Sequence, residues 1–507
     1  MSKKPVYLTV LVIVLMGVLG ASFNVHKVEA PYPIIYIKAD GSIDPATANI
    51  TSSDNVTYIF TANINASIVV EKNNTVVDGA GYTLQGTGSV TGISSVSSNV
   101  TIKNMEIKAF YLGIDLTGSS NTVSGNNITE NEYGIGLASG SDNTINGNNI
   151  TENNLDGINL DSSSNNTING NNIKTNGPGI GIVYSSNNKI LNNNVTNNDG
   201  GIRLYSSPNN TISENDITDN EYYGISIEES MVWNSSNNTI SRNILVNNTN
   251  SIDIVGVLFT TISRNHIAEN NQYGIILDAA SNNTISANNI TNNNLGIFYD
   301  GLCNNNTAYH NNFVDNAKQV EVSPGDVDAW DDGVEGNYWS NYTGVDSNHD
   351  GIGDSWHEIS ENNTDRYPLM GMFHSFNTSV GEYVNVVSNS TIESFQHFES
   401  NSTIIIHVSN MTANQTHGFC RISIPYEVMS EPFNVTIDGA NPTYWNYTLY
   451  DNGTHRWIYF EYEHTTREIV IVPEFPSFLI LPLFMATTLL AVIIIRRKHR
   501  ANLRVPV

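Results

Sequence analysis

The chain has 507 residues and carries 22 lysines and arginines against 49 aspartates and glutamates, a formal net charge of −27. A surface this acidic repels phosphate backbones, so the composition excludes nucleic acid and anionic lipid as primary partners. The two cysteines are too few for a disulfide framework. Because Cys303 and Cys420 fall in different predicted domains, two separate buried thiols are favoured over a bridge.

The N-terminal 30 residues are typical of a secretory signal peptide. Lys3 and Lys4 precede a long apolar run, and Val28-Glu29-Ala30 resembles a small-residue cleavage site. Residues 31–75 follow, and we interpret them as an N-terminal cap. The rest of the chain is therefore expected outside the cytoplasm.

A repeat of 22 or 23 residues dominates the middle of the chain. The tetrad Asn-Asn-Thr-Ile, or a near variant, recurs from residue 120 to residue 308, with one longer gap of 28 residues. Ile145, Ile168, Ile190 and Ile212 are four of its apolar members, and two further apolar series keep step with it. Three short apolar sites in each repeat, separated by Asn, Ser and Gly, are typical of a solenoid.

The apolar sites predict strands, because they are too short for helices and alternate as in Gly157-Ile158-Asn159-Leu160. Three strands and three turns in each repeat predict a triangular coil, stacked at about 4.8 Å into parallel sheets. Each Ile should lie above the Ile of the next coil, and the repeated Asn should form amide ladders. The pattern therefore predicts that residues 76–329 form an all-β solenoid of about ten coils.

Aromatic residues follow the last repeat, in a C-terminal cap predicted for residues 330–372. Tyr338, Trp339 and Tyr342 fall in one short run. Large rings suit this position because the open end of a solenoid exposes strand edges that need a cover.

The cap also contains the first nine positions of a calcium loop. Its oxygen donors are Asp346, Asn348, Asp350, the Ile352 carbonyl and Asp354. The nearest basic residue in sequence is Arg366, so the three carboxylates would repel one another without a cation. Calcium is therefore predicted here, although position 12 is His357 and completes no helix-loop-helix hand. The alternative is a set of Asp-Gly turns whose side chains bond local amides.

Residues 373–472 contain short strand-like runs separated by turns such as Asp438-Gly439. About seven short strands in such a length predict a small β-sandwich. Asn-X-Ser/Thr sites in this domain, such as Asn389 and Asn452, favour N-glycosylation. Residues 475–495 are apolar and uncharged, and Arg496-Arg497 follow directly. This pattern predicts a single membrane-spanning helix within an anchor of residues 473–507.

Several motifs resemble the NosD-like right-handed parallel β-helix family, also described as carbohydrate-binding and sugar-hydrolase (CASH) repeats. They are Gly-Ile-x-Leu, Ser-x-Asn-Asn-Thr-Ile, Gly-Asn-Asn-Ile and the closing series from Trp330-Asp331-Asp332-Gly333 to Tyr367-Pro368-Leu369. The resemblance covers residues 76–370 and implies a right-handed β-helix of the pectin-lyase type. Family members are labelled copper-maturation proteins. Pectate lyases, polygalacturonases and alginate epimerases share the fold, so the fold alone does not indicate a function. Pro473-Glu474-Phe475-Pro476-Ser477 resembles a sorting signal of archaeal surface proteins.

Three functions stay open. A non-catalytic surface protein that binds a polysaccharide or surface glycan, or builds the envelope, needs only a long polar face, and we favour it. A lyase, hydrolase or epimerase needs carboxylates and a base on one sheet. Its candidates are Asp161, Arg203 and Glu228, with Asp253 in an adjacent column. Copper handling needs clustered His, Met or Cys, and the dispersed histidines disfavour copper.

Overall fold

The computed structural model describes residues 33–230, 235–429, 433–473 and 490–496. The predicted signal peptide of residues 1–30 lies outside the described residues, as do most of the membrane segment predicted for 475–495 and most of the sorting motif. Residues 490–496 are helical. Among the described residues, no helix is both long and apolar enough to cross a membrane.

Three long sheets form the sides of a solenoid, and every solenoid strand from residue 67 to residue 322 pairs in parallel with its neighbours in the next coils. Sheet A has fourteen strands: Ile43–Asp44, Ile34–Ile37, Ser67–Val70, Thr91–Ser95, Leu112–Leu116, Tyr133–Ala138, Ile158–Asp161, Pro178–Val183, Gly200–Tyr205, Tyr223–Glu228, Asn250–Val255, Tyr273–Asp278, Leu295–Asp300 and Lys318–Val322. Sheet B has fourteen strands: Ile50–Thr51, Thr57–Phe60, Thr75–Asp78, Val100–Lys103, Thr122–Ser124, Thr144–Asn146, Thr167–Asn169, Lys189–Leu191, Thr211–Ser213, Thr239–Ser241, Thr261–Ser263, Thr284–Ser286, Asn304–Tyr309 and Val327–Ala329. Sheet C has twelve strands: Thr83–Gln85, Glu106–Lys108, Asn127–Thr129, Asn149–Thr151, Asn172–Lys174, Asn194–Thr196, Asp216–Thr218, Ile244–Val246, His266–Ala268, Asn289–Thr291, Asn312–Val314 and Tyr338–Trp339.

Aliphatic columns fill the interior, as the repeat predicts. Ile145, Ile168, Ile190 and Ile212 lie in direct register on successive strands of sheet B, and each is at most 1% exposed. Stacking identical branched side chains from coil to coil removes nearly all their surface from water. The predicted isoleucine stack is confirmed.

Asparagine ladders close the corners between the sheets. The amide nitrogen of Asn171 donates to Oδ1 of Asn193, and Asn193 donates to Asn215, each over 3.0 Å. Asn171 Nδ2 also donates to the Ile145 carbonyl, while its backbone N–H donates to Asn193 Oδ1. Each buried amide thus satisfies turn groups that would otherwise lack partners, and the ladder expected from the Asn-Asn pairs is present.

The solenoid is longer than the repeated tetrad indicates. Sheet C contributes one strand to each coil and has twelve strands, so the coils number about twelve and not about ten. Stacking also starts upstream of residue 76, since Ile34–Ile37 pairs in parallel with Ser67–Val70 and Thr57–Phe60 pairs with Thr75–Asp78. These first coils lack the tetrad, which explains why the sequence pattern did not include them.

The aromatic residues after the last repeat cover the end of the solenoid. Trp339 stacks on Phe313 with a centroid distance of 4.2 Å, and Trp330 meets Tyr299 edge-on at 5.4 Å. Both indoles are at most 2% exposed, and Trp339 Nε1 donates to Asp365 over 2.8 Å. A two-stranded antiparallel sheet of His357–Ser360 and Asn363–Asp365 completes the cap.

A sandwich of two antiparallel sheets follows the cap, as predicted. One sheet contains Met372–Asn377, Tyr383–Ser388, His417–Pro425, His455–Glu463 and Tyr444–Asp451; the other contains Ser390–Phe398, Thr403–Asn410, Arg467–Pro473 and Phe433–Ile437, with a 3₁₀ turn at Glu399–Asn401. Cys420 belongs to the sandwich core and Cys303 to the solenoid core, and both are buried free thiols.

Candidate functional site

The outward face of sheet A brings charged and aromatic side chains together near its middle. Arg203 lies on the strand Gly200–Tyr205, and Glu228 ends the next strand, so an ion pair forms across the coils with an N–O distance of 3.1 Å. The Arg203 guanidinium also lies 5.6 Å from the centre of the Tyr205 ring. The two charged side chains are 42% and 34% exposed, so both remain accessible to a ligand.

Two glycines, which have no side chain, leave space for the side chains around Arg203 and Glu228. A Cβ at Gly200 would lie 2.4 Å from Tyr223 Cζ, so the hydroxyl end of the Tyr223 ring fills the space beside this glycine. A Cβ at Gly181 would lie 3.1 Å from Asp156 Oδ2. Asp156 instead accepts a 2.6 Å hydrogen bond from Asn159, and burial raises the pKa of its carboxyl group. Substitution at either glycine would displace a side chain of the site.

A third carboxyl group, that of Asp253, lies one coil beyond Glu228. Asp253 pairs in register with Ser226, two residues before Glu228. Burial, followed by the neighbouring charges of Glu228 and Asp278, raises the pKa of Asp253 to about 6. Its Oδ1 atom is buried without a hydrogen-bond partner among the described residues. A carboxyl group with a pKa near neutrality can exchange a proton under ordinary conditions.

The structure joins only two of the three predicted catalytic candidates. Arg203 and Glu228 form the ion pair, whereas Asp161 is separated from Glu228 by Val183 and Tyr205 in the same column. Asp161 is exposed, and its carboxylate accepts a hydrogen bond from Ser162. The arrangement therefore does not include Asp161.

Asp156 and Tyr223 belong to the site but were not among the predicted residues. Asp156 precedes its strand, outside the outward columns that the repeat defines. Tyr223 opens the strand after Gly200–Tyr205, and its register partner Gly200 could have marked the ring as a site residue. A large ring aligned with a glycine in the adjacent coil is therefore the sequence signal that identifies Tyr223.

Aromatic pairs continue along the same face on both sides of the charged group. Tyr111 and Tyr133 lie 5.6 Å apart edge-on, Tyr184 and Tyr205 lie 5.9 Å apart, and Tyr273 and Phe298 stack at 5.5 Å. Together these pairs extend over nine strands of sheet A, from Leu112–Leu116 to Leu295–Asp300. Tyr111 and Tyr184 are 45% and 48% exposed. The face is therefore a strip of accessible rings with a charged centre.

The predicted calcium loop folds around its own backbone. Asp346 accepts hydrogen bonds from the N–H groups of Asp350 and Gly351, Asp350 accepts from Ile352, and Asp354 accepts from Ser347: all four distances are 2.8–3.0 Å. Asn348 Nδ2 lies 3.2 Å from Asp350. Across the described part of the chain, no group of three or more His, Cys, Asp or Glu side chains is arranged to hold a metal ion. Local amides thus occupy these carboxylates, and calcium remains a prediction.

The basic neighbour of this loop is a different residue from the one expected. Arg366 pairs with Asp331, away from the loop. Arg421 instead reaches it from the sandwich, and its Nη1 donates to the Asp350 carbonyl over 2.8 Å. Burial raises the pKa of Asp350, while Arg421 acts in the opposite direction. The expectation that no basic group relieves the loop was wrong, because the sandwich folds back onto the cap.

Two family models match the solenoid. The model described as periplasmic copper-binding protein (NosD) matches residues 184–344, and the model described as right-handed beta helix region matches residues 72–212. The probable ABC transporter binding protein NosD of Stutzerimonas stutzeri is 36% identical over 80 residues, which cover 16% of this chain. The match spans only 18% of that relative.

Several solved structures are similar at low identity. The Dettilon tailspike protein shares 14% identity with a TM-score of 0.36, over 80% of this chain and 87% of that one. The A-module of the Azotobacter vinelandii mannuronan C-5 epimerase AlgE6 shares 15% identity with a TM-score of 0.42, over 54% of this chain and 88% of that one. The solenoid is thus similar to the NosD model over residues 184–344 and to the right-handed β-helix model over residues 72–212.

Proposed function

We propose that this protein binds glycans, without turnover, along the outward face of sheet A. The observation that carries the proposal is the strip of exposed and half-buried rings around the Arg203–Glu228 pair. The C–H faces of sugar rings pack on aromatic side chains, while charged and amide groups hydrogen-bond to hydroxyl groups. An open face that runs over many coils suits a chain of sugars better than a small molecule.

The proposed location is outside the cytoplasm, with the C-terminal segment as an anchor. It is supported by the signal-like N-terminus and by the periplasmic description of the matching family model. Protease treatment of intact cells should remove the solenoid. Protection of the solenoid under conditions that digest a known surface protein would contradict this location.

Binding is tested by a glycan array probed with the full chain and with two variants. Tyr205→Ala combined with Arg203→Gln should lower the retained signal about tenfold or more, since a stacking surface and a charged hydrogen bond are lost together. Tyr82→Ala is the control, because Tyr82 is an exposed tyrosine away from sheet A. Equal retention by the wild type and the double variant would contradict the proposed face.

A second candidate function is modification of a polysaccharide by a lyase, hydrolase or epimerase reaction. Asp253 favours it, because its carboxyl group has a pKa of about 6 beside Glu228. Release of reducing ends or unsaturated products by the wild type, but not by Asp253→Asn, would establish it. The description of the matching family model supports copper handling. Stoichiometric copper uptake by the full chain would establish that function.

A further inference from the structure

A cleft of about 610 Å³ lies between the solenoid and the sandwich, far from the centre of sheet A. Its solenoid wall is the corner between sheets B and C, and its other wall is the first sandwich strand, Met372–Asn377, with Tyr383. Small-molecule sites have this size and occur preferentially where two domains meet.

Two arginines on successive coils give the cleft a positive charge. The Arg264 guanidinium lies 4.2 Å from the centre of the Tyr383 ring, and within the described ranges it has no carboxylate at ion-pair distance. Arg242 donates to the Tyr383 hydroxyl group and lies 4.0 Å from Glu214. Two arginines and one glutamate leave one net positive charge, in a chain whose net charge is −27. The cleft is therefore complementary to a single negative charge.

Two residues that line the cleft each carry a buried polar atom without a partner among the described residues. Asn289 lies 3.2 Å from His266 through Nδ2, which leaves its Oδ1 atom as a free acceptor. His374 Nε2 is also buried without a partner among the described residues. Burial lowers the pKa of His374 to about 4, so its ring is neutral at pH 7 and adds no charge. An unpaired buried polar atom is unfavourable, and a hydrogen bond from a ligand hydroxyl group would satisfy it.

We propose that this cleft binds the carboxylate of a hydroxylated ligand. Arg264 and Arg242 hold the carboxylate, since the planar guanidinium donates two parallel hydrogen bonds to a planar anion. Asn289 and His374 bond to hydroxyl groups of the same ligand. The cleft lies outside sheet A, so the proposal does not depend on glycan binding at that face.

Calorimetric titration of the full chain tests the proposal with D-glucuronate, D-glucose, acetate and phosphate as probes. Glucuronate should bind at least about tenfold more tightly than glucose, which lacks the charge, and more tightly than acetate, which lacks the hydroxyl groups. Equal heats from glucuronate and glucose would overturn the proposal. Tighter binding of phosphate would also overturn it, in favour of a tetrahedral oxyanion.

Variants locate the binding. Arg264→Gln should raise the Kd for glucuronate about tenfold or more, and Arg264→Lys should give an intermediate value because the charge remains without the planar fork. Lys174→Gln removes an exposed positive charge elsewhere on sheet C and should leave the Kd unchanged. An unchanged Kd in Arg264→Gln, with an unchanged circular dichroism spectrum, would overturn the assignment. An equal loss in Lys174→Gln would show a general charge effect and overturn it too.

Discussion

Arg421 in the sandwich donates through Nε to the buried carboxylate of Glu335 in the solenoid cap. The two side chains are only 3% and 5% exposed. Trp457 Nε1 donates to the same carboxylate over 2.9 Å, and His310 Nε2 lies 2.8 Å from it. Burial alone would raise the pKa of Glu335, but Arg421 and His310 hold the pKa at about 2. One carboxylate thus connects the solenoid with two strands of the sandwich.

Glu335→Gln should lower the free energy of unfolding by about 3–5 kcal/mol, because it leaves the buried Arg421 without a counter-charge. Denaturant titration followed by circular dichroism measures the change. Glu399→Gln is the matched control, since Glu399 is exposed in a surface turn. Equal stability of Glu335→Gln and the wild type would show that the pair does not couple the two units.

The same carboxylate predicts a pH dependence. Its folded pKa of about 2 lies below the ordinary value of 4.5, so its contribution is present above pH 4.5 and is lost as the pH falls toward 2. The stability difference between the wild type and Glu335→Gln should therefore shrink across this window. A difference that stays constant from pH 7 to pH 2 would contradict the ionised state of Glu335.

Ile190→Asp should destabilise the solenoid by at least about 3 kcal/mol, because it places an unpaired charge in the aliphatic column. Ile190 is 0% exposed, whereas Leu191, the next residue on the same strand, is only half-buried. Leu191→Asp is therefore the control and should cost much less. Thermal melting by circular dichroism tests both, and an unchanged melting curve for Ile190→Asp would contradict the stack.

Calcium, if the cap loop binds it, should raise the melting temperature of the full chain. A hundredfold excess over the Kd stabilises the folded state by about 2.7 kcal/mol through mass action. Calorimetry with calcium and with chelator measures the shift, which Asp350→Ala should abolish. Identical curves in both conditions, or a shift that persists in Asp350→Ala, would leave only the turn in which Asp346 and Asp350 bond local amides.

The repeat made much of the fold predictable. A column such as Ile145 to Ile212 follows from spacing alone, since one residue per coil can occupy each buried position. The Arg203–Glu228 pair could be predicted in the same way, because both residues lie in outward columns of adjacent coils. Periodicity therefore predicts contacts between neighbouring coils, buried or exposed.

Contacts outside the periodic part could not be predicted in this way. Glu335 and Arg421 are separated by 86 residues, and no repeat relates the cap to the sandwich. Asp156 belongs to a loop and not to a strand of the repeat. Arg264 contacts Tyr383 because the sandwich folds back against the corner of the solenoid. Such contacts depend on how separate units pack, which neither spacing nor residue type specifies.

Binding of a polysaccharide without turnover can be separated from catalysis in a single incubation. A polysaccharide retained by the full chain on the array is mixed with the wild type, then recovered and sized, with ultraviolet absorbance, reducing ends and the proton NMR spectrum recorded. We expect the wild type to retain the polysaccharide and leave it unchanged, and the variant Tyr205→Ala combined with Arg203→Gln to release it. Shortened, unsaturated or epimerised product that disappears in Asp253→Asn, Glu228→Ala or Asp161→Ala would contradict the account and identify an enzyme.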